Sequence, residues 1–296
     1  MLFTDQTHHN FAKDPAVIRF SGRYFLYYSM RKDDGSFGVG IAVSQDLENW
    51  ACAGEVSRTQ PCEGKGIAAP AAIVLGSQVH LFYQSYGNAH RDAICHAVSS
   101  DGFHFYKNPE NPVFRPTQDW CCGRAIDADV CIWGNKLYLY FATRDHAYII
   151  QKIGGACASL DSGFGRSAWQ PLASQTLLHP ELIWEGQCIE APATLVHGGK
   201  IYMFYGGSYN CTPQQIGCAV STDGVFFTRL CAEPFLPCGA PGSWNQSESG
   251  HPYAFCDDDG RCYLFYQGSA DMGKTWYLSR AEILFNTEGI PCFAGC

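Results

Sequence analysis

The sequence has few charged residues. Asp, Glu, Lys and Arg together make up 16% of its 296 residues, below the roughly 25% that is usual in soluble domains. Acidic residues outnumber basic ones, 28 to 20, so the chain lacks the basic surface that nucleic-acid-binding proteins need. A mildly acidic protein suits a neutral small molecule, and we do not expect nucleic acid as a partner.

Long apolar runs are also missing. None approaches the about 18 uninterrupted apolar residues that indicate a membrane-spanning helix, so we do not expect a membrane partner. The first residues, MLFTDQTHHNFAKDP, show no basic region followed by an apolar run, as a signal peptide would. We therefore expect a cytoplasmic protein.

Cysteine is abundant, but its metal-binding spacing is absent. None of the 16 cysteines forms a C-x-x-C pair, which argues against a cysteine-bound metal. A disulfide framework would need an oxidising compartment. Cys131, Cys218, Cys256 and Cys262 lie within apolar, strand-like segments. We therefore interpret most cysteines as small buried hydrophobic side chains in the reduced state.

The sequence does contain an internal repeat. Aromatic-rich runs that are typical of β-strands recur about every 60 residues. They are YFLYYS from Tyr24, VHLFYQ from Val79, LYLYFA from Leu137, IYMFYG from Ile201 and CYLFYQ from Cys262. Each run follows a second short apolar segment and a turn rich in Gly, Asn or Asp, as in a β-hairpin. A third segment follows, in several copies with a Ser-x-Asp-Gly turn.

This repeat predicts an all-β fold. No long segment shows the helical spacing of apolar residues, and five copies of a three- or four-stranded unit are typical of a five-bladed β-propeller. Two stacked β-sandwiches would explain a five-fold repeat less well, and no linker divides the chain. We predict a single domain over residues 1–296, with blades that begin near residues 14, 69, 127, 190 and 251.

Alignment of the five copies draws attention to the residue just before the first strand of each. It is Asp14, Ala69, Asp127, Glu190 and His251 in turn. Because the innermost strand of each blade lines the central channel, these residues would meet at one end of it. A single acid at such a place is usually a solvated loop residue. Three acids at equivalent places indicate a function, because gathering like charges is costly.

Clustered carboxyl groups suit glycoside hydrolysis. Neighbouring carboxyl groups push each other's pKa values apart, so one can stay protonated as a general acid while another stays ionised as a general base. Inverting glycosidases hold the two roughly 6.5–9.5 Å apart to admit a water, and retaining ones hold them about 5–5.5 Å apart.

The segments KDPAVI, AIDADV, CIEAPATL and GHPYAF, together with the five repeats, resemble glycoside hydrolase family 43 over residues 10 to 285. The resemblance implies hydrolysis of pentose-containing plant oligosaccharides with inversion, by a β-xylosidase, an α-L-arabinofuranosidase or both. It implies that Asp14 is the general base, that Glu190 is the general acid, and that Asp127 orients Glu190 and tunes its pKa. In the second copy, Ala68 and Ala69 stand where the family often has an aromatic residue before Ala-Pro.

His251 has two interpretations. Some relatives place a histidine here beside a divalent cation, often calcium, through water, which would make His251 part of a metal site in the central channel. The alternative is a neutral histidine that is hydrogen-bonded in the channel wall. No cofactor is expected to be required, although the resemblance allows a structural Ca²⁺ in the channel.

Several further residues are weaker candidates. Asp129 follows Asp127 by two residues, but the distance to the turn at Gly134 favours Asp127 as the equivalent of Asp14. Arg144 could reach the sugar or pair with its neighbour Asp145, and we favour the pairing slightly. Aromatic residues on longer loops, Phe37 and Trp120 among them, could stack on a sugar ring. The acidic run at 257–259 aligns with the hairpin turns of other copies and is expected to be a turn.

Other functions remain open from the sequence alone. A fructan hydrolase or a mannoside phosphorylase on a related propeller is one alternative, although a fructan hydrolase would normally carry an Asn before Asp14-Pro15, where this chain has Lys13. A non-catalytic propeller that binds glycan or protein is another. The expected partner is a small oligosaccharide substrate.

Overall fold

The backbone forms five antiparallel sheets of four strands each. The structure is a computed structural model and describes residues 1–7 and 9–294. Within every sheet the strands follow one another in chain order, each hydrogen-bonded to the next. Each sequence repeat therefore forms one blade of a five-bladed β-propeller, and the predicted all-β class is confirmed.

The strands of the first three blades are β1 (Lys13–Phe20), β2 (Arg23–Arg31), β3 (Phe37–Ser44), β4 (Ala51–Glu55), β5 (Ile67–Leu75), β6 (Gln78–Ser85), β7 (Ile94–Ser99), β8 (Tyr106–Lys107), β9 (Ile126–Trp133), β10 (Lys136–Arg144), β11 (Gln151–Ser159) and β12 (Gln170–Pro171). Those of the last two are β13 (Ile189–His197), β14 (Lys200–Gly207), β15 (Gln215–Ser221), β16 (Thr228–Arg229), β17 (Glu248–Cys256), β18 (Cys262–Ser269), β19 (Tyr277–Phe285) and β20 (Pro291–Cys292). Short 3₁₀ turns lie at Pro61–Glu63, Ala89–Arg91, Arg166–Ala168 and Ile183–Glu185. Across the described ranges, the structure has no helix with the length and apolar character needed to span a bilayer.

The Ser-x-Asp-Gly turns connect neighbouring blades through hydrogen bonds. The glycine of two such turns, Gly102 and Gly224, has a positive φ, which glycine adopts without strain. Its carbonyl accepts a hydrogen bond from a buried tyrosine of the preceding blade, Tyr27 at 3.0 Å and Tyr140 at 2.9 Å respectively. A Cβ at Gly102 would lie 2.6 Å from the Phe25 ring. These turns therefore need glycine both for the backbone conformation and for close packing between blades.

The N-terminal segment closes the ring of blades. Phe3 exchanges two backbone hydrogen bonds with Leu278 of β19, at 2.9 and 2.7 Å. Phe11 forms a further bridge to Trp276. The first residues of the chain thus attach to the fifth blade just before the chain enters the first.

One cysteine pair differs from the prediction. Cys256 and Cys262 face each other across the β17–β18 hairpin and form a disulfide, whereas the sequence analysis interpreted both as buried thiols. Six of the 13 free cysteines that the structure describes are buried, Cys131 and Cys218 among them, and the other seven are half-buried or exposed. The prediction that most cysteines are buried is therefore wrong.

Candidate active site

The first strand of every blade carries a β-bulge at its start. In β1, Lys13 pairs with Ser29 and Ala16 with Tyr27, so Asp14 and Pro15 together oppose one residue. The same two-residue step occurs in the first strand of the other four blades. The first bulge residue has a positive φ in each: Asp14, Ala69, Asp127, Ala191 and His251, with values between 40° and 51°. This recurring strained conformation re-aims a side chain at the end of the channel.

Glu190 does not belong to that set. The bulge residue of the fourth blade is Ala191, and Glu190 pairs with Gly206 at the place that Lys13 occupies in the first blade. The alignment proposed above, which put Glu190 in register with Asp14 and Asp127, is therefore wrong by one residue. Aligning the blades on Pro15, Pro70, Pro192 and Pro252 would have revealed the offset.

The structure nevertheless brings Asp14, Asp127, Glu190 and His251 together. His251 Nδ1 lies 2.9 Å from Asp14 Oδ1. His251 Nε2 lies 3.8 Å from Asp127 Oδ2 and 3.6 Å from Glu190 Oε1. The imidazole thus stands between Asp14 on one side and the other two carboxylates on the other.

Side chains from neighbouring blades fix the bulges. The backbone N–H of Asp14 donates to Gln267 Oε1 at 3.1 Å, and that of Asp127 donates to Gln84 Oε1 at 2.6 Å. Ala69 and His251 are held in the same way by Ser29 and Gln214. These residues were not predicted, although Ser29, Gln84 and Gln267 are the polar last residues of the runs YFLYYS, VHLFYQ and CYLFYQ.

The four side chains of the cluster differ in the direction of their pKa shifts. Burial alone would raise the pKa of Asp14, but the positive charges of His251 and Lys13 outweigh it and hold that pKa below the usual value. Burial and the negative charges of Glu190 and Asp14 raise the pKa of Asp127 to about 7. Burial opposes ionisation of Glu190 as well, yet contacts with His251 and Gln214 lower its pKa.

His251 is the cation of the cluster. Burial disfavours its protonation, but the negative charges of Asp14 and Asp127 dominate and raise the pKa of His251 well above the usual value. The ring is therefore an imidazolium that offsets the charge of the carboxylates around it.

These residues do not fit a calcium ion well. Asp127, Glu190 and His251 can each present a ligand atom within 4.8 Å of one another, but Ca²⁺ takes six to eight oxygen ligands. The channel space beside Asp14, Asp129 and His251 is about 20 Å³, enough for about one water and too small for a hydrated cation. Metal binding by His251 stays a prediction, and no step below depends on it.

Above the carboxylates lies a cavity of about 160 Å³. Its wall contains the basic side chains of Lys13, Arg124 and Arg144. Arg144 was one of the candidates to reach the sugar, whereas Lys13 and Arg124 were not predicted. Arg144 does not pair with Asp145, contrary to our preference: it donates to Gln151 Oε1 at 2.8 Å, while Asp145 accepts the backbone N–H groups of Ile149 and Ile150.

Aromatic side chains complete the wall. Phe37, Tyr86 and Tyr209 line the cavity, so one of the two aromatic candidates lies where a sugar could stack. Trp120 is outside this lining and instead faces Gly154 and Lys152. Ala68 also lines the cavity, so the second blade contributes a small side chain to this wall.

Asp129 is buried beside the cluster but turned away from the cavity. Its Oδ2 accepts hydrogen bonds from the backbone N–H and the hydroxyl of Thr194, at 2.7 and 2.5 Å. It does not line the cavity above Asp127. The geometry thus agrees with the preference for Asp127 as the cluster residue.

Comparisons with known proteins agree with the fold of this chain. The family model described as Glycosyl hydrolases family 43 matches residues 4–284. No curated protein sequence matches the chain. A thermostable family-43 glycoside hydrolase is similar in structure, with a TM-score of 0.77, 21% identity, and coverage of 99% of this chain and 96% of that chain.

Two further solved structures show the same fold. An endo-1,4-β-xylanase from Bacteroides thetaiotaomicron VPI-5482 matches with a TM-score of 0.78 and 20% identity, covering 99% of this chain and 97% of that chain. An α-L-arabinofuranosidase from Lactobacillus brevis matches with a TM-score of 0.74 and 17% identity, covering 99% and 98%. At these identities the likeness shows the fold alone, but the family model spans nearly the whole chain, so the protein belongs to glycosyl hydrolase family 43 and is a glycosidase.

Proposed function

We propose that this glycosidase removes pentose units from plant oligosaccharides, as a β-xylosidase, an α-L-arabinofuranosidase or both, with inversion at the anomeric carbon. The observation that carries the proposal is the cluster of Asp14, Asp127 and Glu190 around His251 at the base of a small cavity. A cavity of about 160 Å³ suits a single terminal sugar better than a long polymer. Xylanase and arabinofuranosidase neighbours support the choice of sugar.

In this proposal Asp14 is the general base. Its Oδ1 lies 2.9 Å from Nδ1 of the protonated His251 ring, and the carboxylate lines the cavity, so we assign its other oxygen as the acceptor for the proton of a water. The lowered pKa of Asp14 keeps the carboxylate ionised at neutral pH. As water attacks the anomeric carbon, Asp14 accepts the proton of that water.

Glu190 is the proposed general acid, and it gives its proton to the leaving glycosidic oxygen as the C–O bond breaks. Asp127 and Glu190 are neighbours in one buried site and titrate as a pair. In the free site the raised pKa belongs to Asp127, so we infer that the proton is held there and passes to Glu190 when substrate displaces water from the cavity.

The position of the base relative to the acid supports inversion. Asp14 contacts Nδ1 of His251, and Glu190 lies near Nε2 on the other side of the ring. An inverting site needs a wide separation between its two carboxyl groups to admit a water.

A panel of 4-nitrophenyl glycosides tests the proposal. We expect cleavage of the β-D-xylopyranoside or the α-L-arabinofuranoside. Asp14→Ala should lose that cleavage, and Glu190→Ala should lose part of it, because nitrophenolate leaves with less help from an acid; both variants should keep their circular dichroism spectrum. Proton NMR of the first-formed sugar should show the inverted anomer. Cleavage of other glycosides only would overturn the pentose assignment, and full activity of either variant would overturn the assigned roles.

A further inference from the structure

Two buried glutamines donate hydrogen bonds to the Glu190 carboxylate, one to each oxygen. Gln151 Nε2 donates to Oε2, and Gln214 Nε2 donates to Oε1 at 2.7 Å. Both glutamines are fully buried. We infer that Gln151 and Gln214 are positioning residues that aim Glu190 at the glycosidic oxygen, an inference that rests on the proposed role of Glu190 as the acid.

The amide of Gln151 has only one usable orientation. Arg144 lies opposite Gln151 in the β10–β11 pair, and its Nε donates to Gln151 Oε1 at 2.8 Å. A guanidinium can only donate hydrogen bonds. The amide oxygen must therefore face Arg144, and the amide NH₂ must face Glu190.

Gln214 is oriented by the backbone. Its Oε1 accepts the N–H of His251 at 3.3 Å, and its Nε2 donates to the carbonyl of Ser208 at 2.9 Å as well as to Glu190. A backbone donor at one end and a backbone acceptor at the other exclude the flipped amide. The same side chain thus links the acid of the fourth blade to the bulge of the fifth.

The surrounding chain leaves space for Gln214. A Cβ at Gly206 would lie 3.0 Å from Gln214 Cδ, and a Cβ at Gly250 would overlap Gln214 Oε1. Neither glycine has a positive φ that would itself require glycine. Both glycines are therefore explained by the volume of Gln214, because a larger residue at either position would clash with its side chain.

The two amides have a chemical consequence for Glu190. Because each carboxylate oxygen accepts an N–H, the carboxyl group cannot rotate without breaking a buried hydrogen bond, which is costly. The donors also favour the ionised form of Glu190. The proton that Glu190 transfers must therefore sit on the lone pair that the amides leave free, which fixes its direction.

Leaving-group dependence tests this inference. The sugar accepted in the nitrophenyl panel is supplied as a 2,4-dinitrophenyl glycoside, which needs little acid catalysis, and as a disaccharide, which needs it fully. For Gln151→Met and for Gln214→Met we expect kcat/KM on the disaccharide to fall about 10- to 100-fold, as for loss of a hydrogen bond to a charged group. For the dinitrophenyl glycoside, kcat/KM should fall less than about 3-fold.

The pH profile gives a second measurement. Removing an N–H donor raises the pKa of Glu190, so the alkaline limb of the pH profile should move up by about 1 unit.

Gln267→Met is the matched control. Gln267 is also buried, but its Oε1 accepts the backbone N–H of Asp14, the proposed base, and its Nε2 donates to Glu248; no contact with Glu190 is found among the described residues. This variant should change both substrates to a similar degree, so the ratio between them stays constant. If Gln151→Met and Gln214→Met fail to fold, Arg144→Met, which frees the Gln151 amide to turn, should show a smaller change of the same sign.

Equal losses on both substrates with an unmoved alkaline limb would show that the glutamines are only structural. Glu190→Gln in the same assay separates this result from failure of the proposed function. If Glu190→Gln is selectively impaired on the disaccharide and the glutamine variants are not, the positioning inference alone is wrong. If Glu190→Gln also shows no selectivity, Glu190 is not the acid and both proposals fall.

Discussion

Asp129→Asn should make stability less dependent on pH. Burial raises the pKa of Asp129 to about 7, despite the hydrogen bonds from Thr194. The unfolded chain has an ordinary Asp pKa near 3.8, so the folded state binds the proton more tightly. Between these two pKa values folding takes up a proton, and the free energy of unfolding falls as pH rises.

The size of the effect follows from the pH interval. From pH 5 to pH 7 the folded state holds about one more proton at Asp129, and each pH unit then changes the free energy of unfolding by about 1.4 kcal/mol. The contribution levels off above the folded pKa, so the wild type should lose up to about 3 kcal/mol between pH 5 and pH 8 through this group. Asn keeps an oxygen that accepts from Thr194 but cannot ionise. Any cost of its NH₂ group is independent of pH.

Urea denaturation of both proteins at pH 5 and pH 8 measures the difference. We expect the free energy of unfolding of Asp129→Asn, relative to that of wild type, to be larger at pH 8 than at pH 5 by about 2–3 kcal/mol. Its kcat/KM should stay within about 3-fold of wild type, because Asp129 does not line the cavity. The same difference at both pH values would refute the buried-carboxyl reasoning, and a large loss of activity would refute the assignment of Asp127 as the site residue.

Three further predictions concern other parts of the molecule. Gly217→Ala should destabilise the fourth blade by at least about 1–3 kcal/mol in urea denaturation, because the new Cβ would overlap the buried Tyr205 ring; a neutral effect would show that the ring can move aside. Lys107→Met should cost about 3–5 kcal/mol, because it leaves the carboxylate of Glu63, 2.9 Å from Lys107 Nζ and fully buried, without its cation; an unchanged urea midpoint at pH 7 would contradict this. The lowered pKa of Asp14 keeps the base ionised in acid, so kcat/KM should not fall through protonation of Asp14 above about pH 4. A fall in kcat/KM near pH 6 whose midpoint shifts in Asp14→Glu would contradict this prediction.

The sequence predicted the blades because their signals are local. Each blade carries its own aromatic strand and its own Gly-containing turn, and the hairpins set the register locally, as where Phe20 pairs with Arg23 and Leu75 with Gln78. The convergence of Asp14, Asp127 and His251 followed from the repeat alone. Here a local pattern and a radial symmetry together were sufficient to place side chains that are more than 100 residues apart.

The rest depended on side-chain contacts between strands, some within one blade and some between blades. Glu190 was aligned one residue out of register because the alignment matched its acidic side chain to Asp14, whereas the strand pairing makes Ala191 the bulge residue of the fourth blade. Gln151 and Gln214 reach Glu190 from the third strand of one blade and from the residue before the third strand of the other. The position of Arg144 depends on its partner across β10–β11. None of these contacts has a fixed sequence spacing, so no pattern in one repeat predicts them.

The activity of Asp14→Asn tests the central claim most directly. Asn has the size of Asp but cannot accept the proton of the attacking water, and every leaving group needs that step. We expect kcat/KM on the glycoside cleaved by wild type to fall by about 10²–10⁴-fold in a variant that still unfolds in one cooperative transition. Activity of the folded variant within about 3-fold of wild type would contradict the account.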